Sequence, residues 1–280
     1  MLLYWWLLPV GFLVGVFGTL IGAGGGFILA PLLLLFYPGE SPGIITCISL
    51  AVVFFNAASG SVAYARMKRI DYRTGLLFSL ATVPGAILGA VTTTYIPRRE
   101  FDLLFGVLMV LSAVFLALRP RARAEALRAR PGNGVPSKAT QHGTTRTLTE
   151  ADGTIHTYSF SAALGLSLSA VVGYLSSLLG TGGGIIHVPA MIRLLNFPVH
   201  IATATSHFIL AIMALTGTLV HVVSGTFQHG VRRTVVLAIG VLVGAQVGAI
   251  LSGKVKGDWI VRLLAVALAL AGIRILGLAL

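Results

Sequence analysis

Apolar residues dominate this chain in long blocks rather than in alternation. Runs near 2–21, 27–37, 43–65, 74–96 and 100–118 are separated by short polar breaks, and the plan recurs near 160–180, 185–196, 200–223, 234–252 and 259–279. Most blocks approach the roughly 20 residues that carry a helix across a bilayer core. The second run of each half is shorter, about a dozen residues at roughly 1.5 Å rise, which covers little more than half that thickness. The pattern predicts an all-α polytopic membrane protein with about eight transmembrane helices and, in each half, a glycine-broken or re-entrant half-helix.

The halves align by residue type. Gly22, Gly24, Gly25, Gly26 and Pro31 match Gly180, Gly182, Gly183, Gly184 and Pro189 at an offset of 158. Thr46, Ser49 and Gly60 match Thr203, Ser206 and Gly217 at 157, and PGAILGA (84–90) matches VGAQVGA (243–249) at 159. So small a drift marks an internal duplication. The chain divides into a first four-helix repeat (1–118), a connector (119–157) and a homologous second repeat (158–280). Within the connector, the Arg/Ala stretch 119–130 predicts a short helix, PGNGVPSK a linker, and TRTLTEADGTIHTYSF a small β-hairpin around Asp152 and Gly153. Such a piece is too small for an enzyme domain and reads as a connector and regulatory surface.

Charge then orients the molecule. The net charge of +12 is concentrated: seven of the twenty Lys and Arg residues fall between Arg119 and Arg146, and Arg66, Lys68, Arg69 and Arg73 crowd one short loop. Such clustering between apolar segments is the positive-inside bias rather than a nucleic-acid surface, and it places both loops in the cytoplasm of a cell inner-membrane protein. If each half crosses four times, the loop 228–233 with Arg232 and Arg233 is cytoplasmic too and the halves run parallel. If the half-helix counts as a crossing, the number per half is odd and the halves invert. With 56% hydrophobic and 10% charged residues and a mean hydropathy of +0.93, the bilayer is the first partner. The opening MLLYWWLLPV lacks a basic n-region and a cleavage site, and so reads as a membrane segment with Tyr4, Trp5 and Trp6 at the interface. Cys47, the sole cysteine, excludes an intrachain disulfide.

Broken helix inside a bilayer is tolerated only where protein or a water-filled cavity satisfies its backbone. A break also exposes the free N–H groups and the positive end of the helix that follows, a ready site for an anion. The candidate substrate-binding residues are Gly22, Gly24, Gly25, Gly26, Thr46, Ser49 and Asn56 of the first half, with Gly180, Thr181, Gly182, Gly183, Gly184, Thr203, Thr205 and Ser206 of the second. Close helix packing is the competing explanation for the glycines. All eight acidic residues lie in loops or at segment ends, leaving no mid-membrane carboxylate to hold a cation or relay a proton. A small anionic substrate is therefore expected, with no metal or cofactor; sodium held by backbone carbonyls stays open as a coupling ion.

Of the two membrane halves only the second carries histidine, His187, His200, His207, His221 and His229, with none before residue 118. His207, deep in its segment, and His187, just past the glycines, are the proton-coupling candidates. His200 and His221 are expected at the two ends of their segment, near water. Arg193 either snorkels to the interface or meets substrate. Signatures of hydrolases, zinc proteases and P-loop enzymes are absent, so the chain is not read as an enzyme.

On GAGGGFILAP and GTGGGIIHVP, the T-x-x-S and ATATS runs that follow, the PGAILGA and VGAQVGA pair and LTEADG, the sequence resembles the TauE/SafE family of sulfite and organosulfonate exporters, grouped with toluenesulfonate uptake permeases. The resemblance covers nearly the whole chain. It implies a two-repeat membrane permease for small sulfur-containing or organic anions; the mechanism expected from the paired breaks is alternating access around a midplane site. The family pattern has an apolar residue where this chain has His207, which implies a different substrate or coupling ion. An anion channel and a permease for a non-sulfur organic anion stay open, as do transport direction and the choice between monomer and homodimer.

Overall fold

The structure, a computed structural model, describes residues 4–117, 143–252 and 257–279. Its helices are α1 (Leu7–Ile21), α2 (Gly26–Phe36), α3 (Pro42–Arg66), α4 (Tyr72–Thr93) and α5 (Arg98–Ala117), then, after strands β1 (Thr144–Thr149) and β2 (Ile155–Phe160), α6 (Ala162–Leu179), α7 (Gly184–Arg193), α8 (Val199–Val223), α9 (Val231–Ser252) and α10 (Gly257–Ala279). A short 3-10 turn, Thr226–His229, joins α8 to α9. The helix expected over 119–130 and the linker after it lie outside the described residues. Among the described residues five helices, α3, α4, α6, α8 and α9, are long and apolar enough to cross a membrane, and α1 and α2 are shorter apolar helices. This is the make-up of a polytopic membrane protein.

Local chemistry sets the boundaries. Ser41 and Ser161 accept hydrogen bonds from backbone N–H groups three residues on, at the starts of α3 and α6, and Asp71 does so for α4; each satisfies a donor the first turn leaves open. α1 and α6 stop at Gly22 and Gly180, both left-handed, the usual way of ending a helix.

Side-chain contacts between helix ends fix the direction of each element. The rings of Trp6 and Phe36 meet at 5.3 Å, and the Arg233 guanidinium lies over both Tyr4 (6.0 Å) and Tyr37 (4.2 Å). The start of α1 and the end of α2 therefore share one face of the molecule: the chain goes in, breaks at the glycines and comes back. The second half does the same from the opposite face. α6 starts directly after β2, and Phe197, just beyond α7, packs on Tyr158 at 4.5 Å and Phe160 at 5.1 Å of the same hairpin.

α3 connects the two faces. At its start Glu40 takes an ion pair of 2.5 Å from Arg233; past its end the Met67 carbonyl accepts from Ala151 N–H at 3.0 Å in the hairpin turn. Loop 66–73 thus lies on the hairpin face and Arg233 on the far face. The expectation that both basic loops share a face, with parallel halves, does not hold: α4 and α9 enter from opposite sides. The physical reason is that α1 and α6 stop at the glycines and the half-helices return beside them, so the first run of each half, counted as a crossing, turns back.

The principal helix pairs each join one half to the other: α1 with α9, α4 with α6, α3 with α8 and α5 with α10. Glycine permits the approach. A methyl on Gly15 would lie 2.7 Å from the Val241 carbonyl oxygen, and one on Gly173 2.5 Å from that of Thr82. PGAILGA and VGAQVGA serve the same purpose, Gly85 and Gly89 against α6, Gly244 and Gly248 against α1, as small residues do between membrane helices.

The hairpin pairs Thr144 with Phe160 through Thr149 with Ile155. Asp152 and Gly153 fall in its turn as expected, Gly153 at φ 87°. β2 runs to Phe160, past the connector boundary set at 157, because Tyr158 and Phe160 are buried with Phe78, Met191, Leu195 and Phe197.

Candidate functional site

Both breaks are built from three closely spaced left-handed glycines: Gly22, Gly24 and Gly25 at φ 81°, 75° and 80°, and Gly180, Gly182 and Gly183 at 67°, 80° and 63°. A side chain is strained in that region, so glycine is needed at these positions. The helices that start immediately after, α2 and α7, present first-turn amides with no partner inside their own helix and the positive end of the dipole.

The two tips meet in the middle of the molecule. A methyl on Gly26 would stand 2.6 Å from the Gly180 carbonyl oxygen, and one on Gly184 2.5 Å from that of Gly22. Each tip is backed by the long helix of the other half: Gly180 lies on Thr46 of α3 and Gly22 on Thr203 of α8. The Ser49 hydroxyl donates to the Gly180 carbonyl at 2.6 Å and the Ser206 hydroxyl to the Gly22 carbonyl at 3.4 Å. Gly24 and Gly182 both rest against Val53, and Thr181 is buried beside them. Close packing and the nest geometry thus coexist at the same glycines.

Asn56 belongs to a polar cluster at the first break. It accepts from the Thr19 hydroxyl at 2.7 Å, Thr19 Oγ1 is 3.3 Å from His207 Nε2, and the Tyr64 hydroxyl donates to the Thr19 carbonyl at 2.8 Å. The Tyr64 and His207 rings meet edge to face, centroids 5.7 Å apart. Thr19 and Tyr64 were missed in the sequence. Thr19 was within reach of it, since Thr19 and Ser177 stand three residues before Gly22 and Gly180 respectively.

Two candidates stand elsewhere. His187 is buried in α7, with Nε2 3.2 Å from Ser169 Oγ and its ring 6.3 Å from Phe78. Thr205 accepts from Asp71 N–H at 3.1 Å, toward the hairpin face. His200 is exposed as expected, but His221 is not near water: its residue is 0% exposed and neither ring nitrogen has a hydrogen-bond partner, because α8 continues past it against α3 and the 3-10 turn. Arg193 closes α7 on the hairpin face, at its half-buried last position.

Among the described residues the carboxylate ion pairs lie on the two faces. On the far face Arg98 pairs with Asp102 at 2.7 Å and donates to the Leu34 and Glu40 carbonyls. On the hairpin face Arg69 and His156 both reach Glu150, at 2.6 and 2.9 Å. Asp71 accepts from Thr74 N–H, the Thr74 hydroxyl and, at 2.8 Å, the Tyr158 hydroxyl. Burial first, then the Asp71 carboxylate, pushes the Tyr158 phenol above its ordinary range. Between the hairpin turn, α3 and α9 lies a cavity of about 450 Å³ lined by Ala63, Arg66, Met67, Arg69, Glu150, Ala151, Asp152, Gln246 and Ile250. The interior between the faces offers amide, hydroxyl and imidazole groups.

Comparison with known proteins agrees with this architecture. The family model described as "Sulfite exporter TauE/SafE" matches residues 7–275. The chain is 32% identical to "Probable membrane transporter protein YunE" of Bacillus subtilis over 96% of both chains. It is 26% identical to "Probable membrane transporter protein YdhB" of the same organism, over 88% of this chain and 87% of that one. A shorter match, 33% identical, covers 29% of this chain and 18% of "Sulfite exporter TauE/SafE family protein 5" of Arabidopsis thaliana. No solved structure matches significantly.

Proposed function

The chain belongs to the TauE/SafE sulfite exporter family of membrane transporters, and on that premise we propose that it is a secondary transporter of small sulfur-containing anions such as sulfite or organosulfonates. The observation that carries the reading is the tip-to-tip meeting of two glycine-built helix starts in an interior whose polar groups are uncharged. Two positive helix ends without a carboxylate favour an anion over a cation.

In this reading α3, α4 and α5, with α8, α9 and α10, are six full crossings. α1–α2 and α6–α7 are re-entrant pairs, and the halves are inverted repeats. The hairpin face is cytoplasmic, since Arg66, Lys68, Arg69, Arg73 and Arg146 gather there. The cavity under the hairpin turn is the cytoplasmic vestibule, with Arg66 drawing the anion in while Arg69 is held by Glu150. Alternating access separates the two tips in turn, and Thr46, Ser49, Thr203 and Ser206 line the opened site.

Purified protein in proteoliposomes tests this. Saturable sulfite flux, driven by an imposed pH or sodium gradient and weaker for sulfate, supports the transporter. Flux without saturation or coupling would make it a channel. Absence of sulfite, thiosulfate and sulfonate flux from folded protein would remove the substrate assignment.

A further inference from the structure

The two breaks match in backbone but differ in side chains. Along the repeat Thr19 corresponds to Ser177, and Leu50, Asn56, Gly60 and Tyr64 correspond to His207, Met213, Gly217 and His221. The packing follows this count. The His207 ring lies on Gly60 beside Thr19, and Leu50 lies on Gly217 beside Ser177. An amide and an imidazole thus flank the first break where a thioether and an alkyl group flank the second.

Counting hydrogens at the first break shows what is left open. Thr19 has one hydroxyl hydrogen, which goes to Asn56 Oδ1. The contact between Thr19 Oγ1 and His207 therefore runs the other way, Nε2–H donating. Nδ1 is then a bare lone pair, in a residue 0% exposed and without a hydrogen-bond partner at that atom. Asn56 Nδ2, also fully buried, has no hydrogen-bond partner for its two N–H groups. A methyl on Gly18 would lie 2.5 Å from Asn56 Nδ2 and 2.5 Å from Gly25 N, so this amide faces the backbone that opens α2. Buried groups left unmatched in this way call for a ligand.

We propose that the first break alone is the proton site, joined there to the bound anion, while the second break, where the buried Thr46, Ser176 and Ser177 hydroxyls also lack partners, serves the anion without this imidazole. Asn56 Nδ2 and the first amides of α2 hold an oxyanion, and the lone pair of His207 Nδ1 takes up a proton, so anion and proton cross together. This rests on the transporter reading above. An anion alone in an uncharged interior is costly; an imidazolium within the same cluster compensates it. Facing the ring, α3 brings Tyr64 as its titratable group, α1 brings the neutral Thr19, and α4 meets the neighbouring Phe208 through Tyr72. The cavity wall at Ala63 and Arg66 begins one turn of α3 beyond Gly60, which gives the proton its way in.

The test measures sulfite uptake and the accompanying proton movement in proteoliposomes, with methanesulfonate as a second probe whose charge is constant over the pH range. Full-length monodisperse variants are compared, and the anion-induced rise in Tm is read in detergent. His207→Leu is expected to lose about tenfold or more of the anion-evoked proton movement, and Asn56→Met about tenfold or more of kcat/KM and the Tm rise. In the anion-evoked proton movement Thr19→Val follows His207→Leu and Thr19→Ser restores it, while Ser177→Val keeps that proton movement within about twofold of the unchanged protein. Equal losses from Thr19→Val and Ser177→Val, or proton movement that survives His207→Leu and disappears in His221→Leu, would overturn the proposal while leaving the transporter intact. If the unchanged protein shows neither saturable flux nor a Tm rise with any of these anions, the transporter reading falls and this proposal with it.

Discussion

Ser49 and Gly180, from opposite halves of the chain, are joined by a hydrogen bond of 2.6 Å in the middle of the molecule. The equivalent contact between Ser206 and Gly22 is longer, 3.4 Å. Ser49→Ala should therefore destabilise the protein by about 1 kcal/mol, leaving a buried carbonyl with less support, and Ser206→Ala by less. Thermal unfolding in detergent reads the difference, and equal effects would show that the two tips are held alike.

The tips leave no room for a side chain. Gly26→Val should cost about 1–3 kcal/mol through overpacking against the Gly180 carbonyl. Gly182→Ala, at φ 80°, should cost about 1–2 kcal/mol from the left-handed backbone alone. Both are expected to abolish flux, whereas Gly39→Ala, with open space around it, should change neither stability nor flux.

Labelling checks the inverted arrangement. With Cys47 replaced by alanine, Lys68→Cys should react with an impermeant maleimide only from the hairpin side and Arg232→Cys only from the other. Reaction of both from one side would restore the parallel reading.

Docking of the hairpin should depend on the protonated Tyr158 phenol. Its folded pKa is raised above the unfolded value of about 10, so its contribution is intact below that pH and is lost as pH rises beyond it. Proteolysis at the hairpin turn should accelerate above about pH 10 in the unchanged protein. Tyr158→Phe should lose the hydrogen bond to Asp71 at every pH, and with it that dependence.

The elements were legible in the sequence because they depend on local information. Block length set the helices, glycine clusters set the breaks, and Asp152 with Gly153 set the hairpin turn. The lack of carboxylates in the interior was equally plain, since residue identities alone carry it. What the sequence left open was direction: whether α2 continues from α1 or returns beside it depends on which ends touch, and Trp6 with Phe36, or Arg233 with Tyr4 and Tyr37, become neighbours only after folding. His221 was misjudged for a related reason, because position along a helix does not reveal what packs against it. Tertiary structure also brought Thr19 of α1 and His207 of α8 to Asn56 and Tyr64 of α3, contacts between distant segments, and so made two breaks of nearly identical sequence chemically unequal.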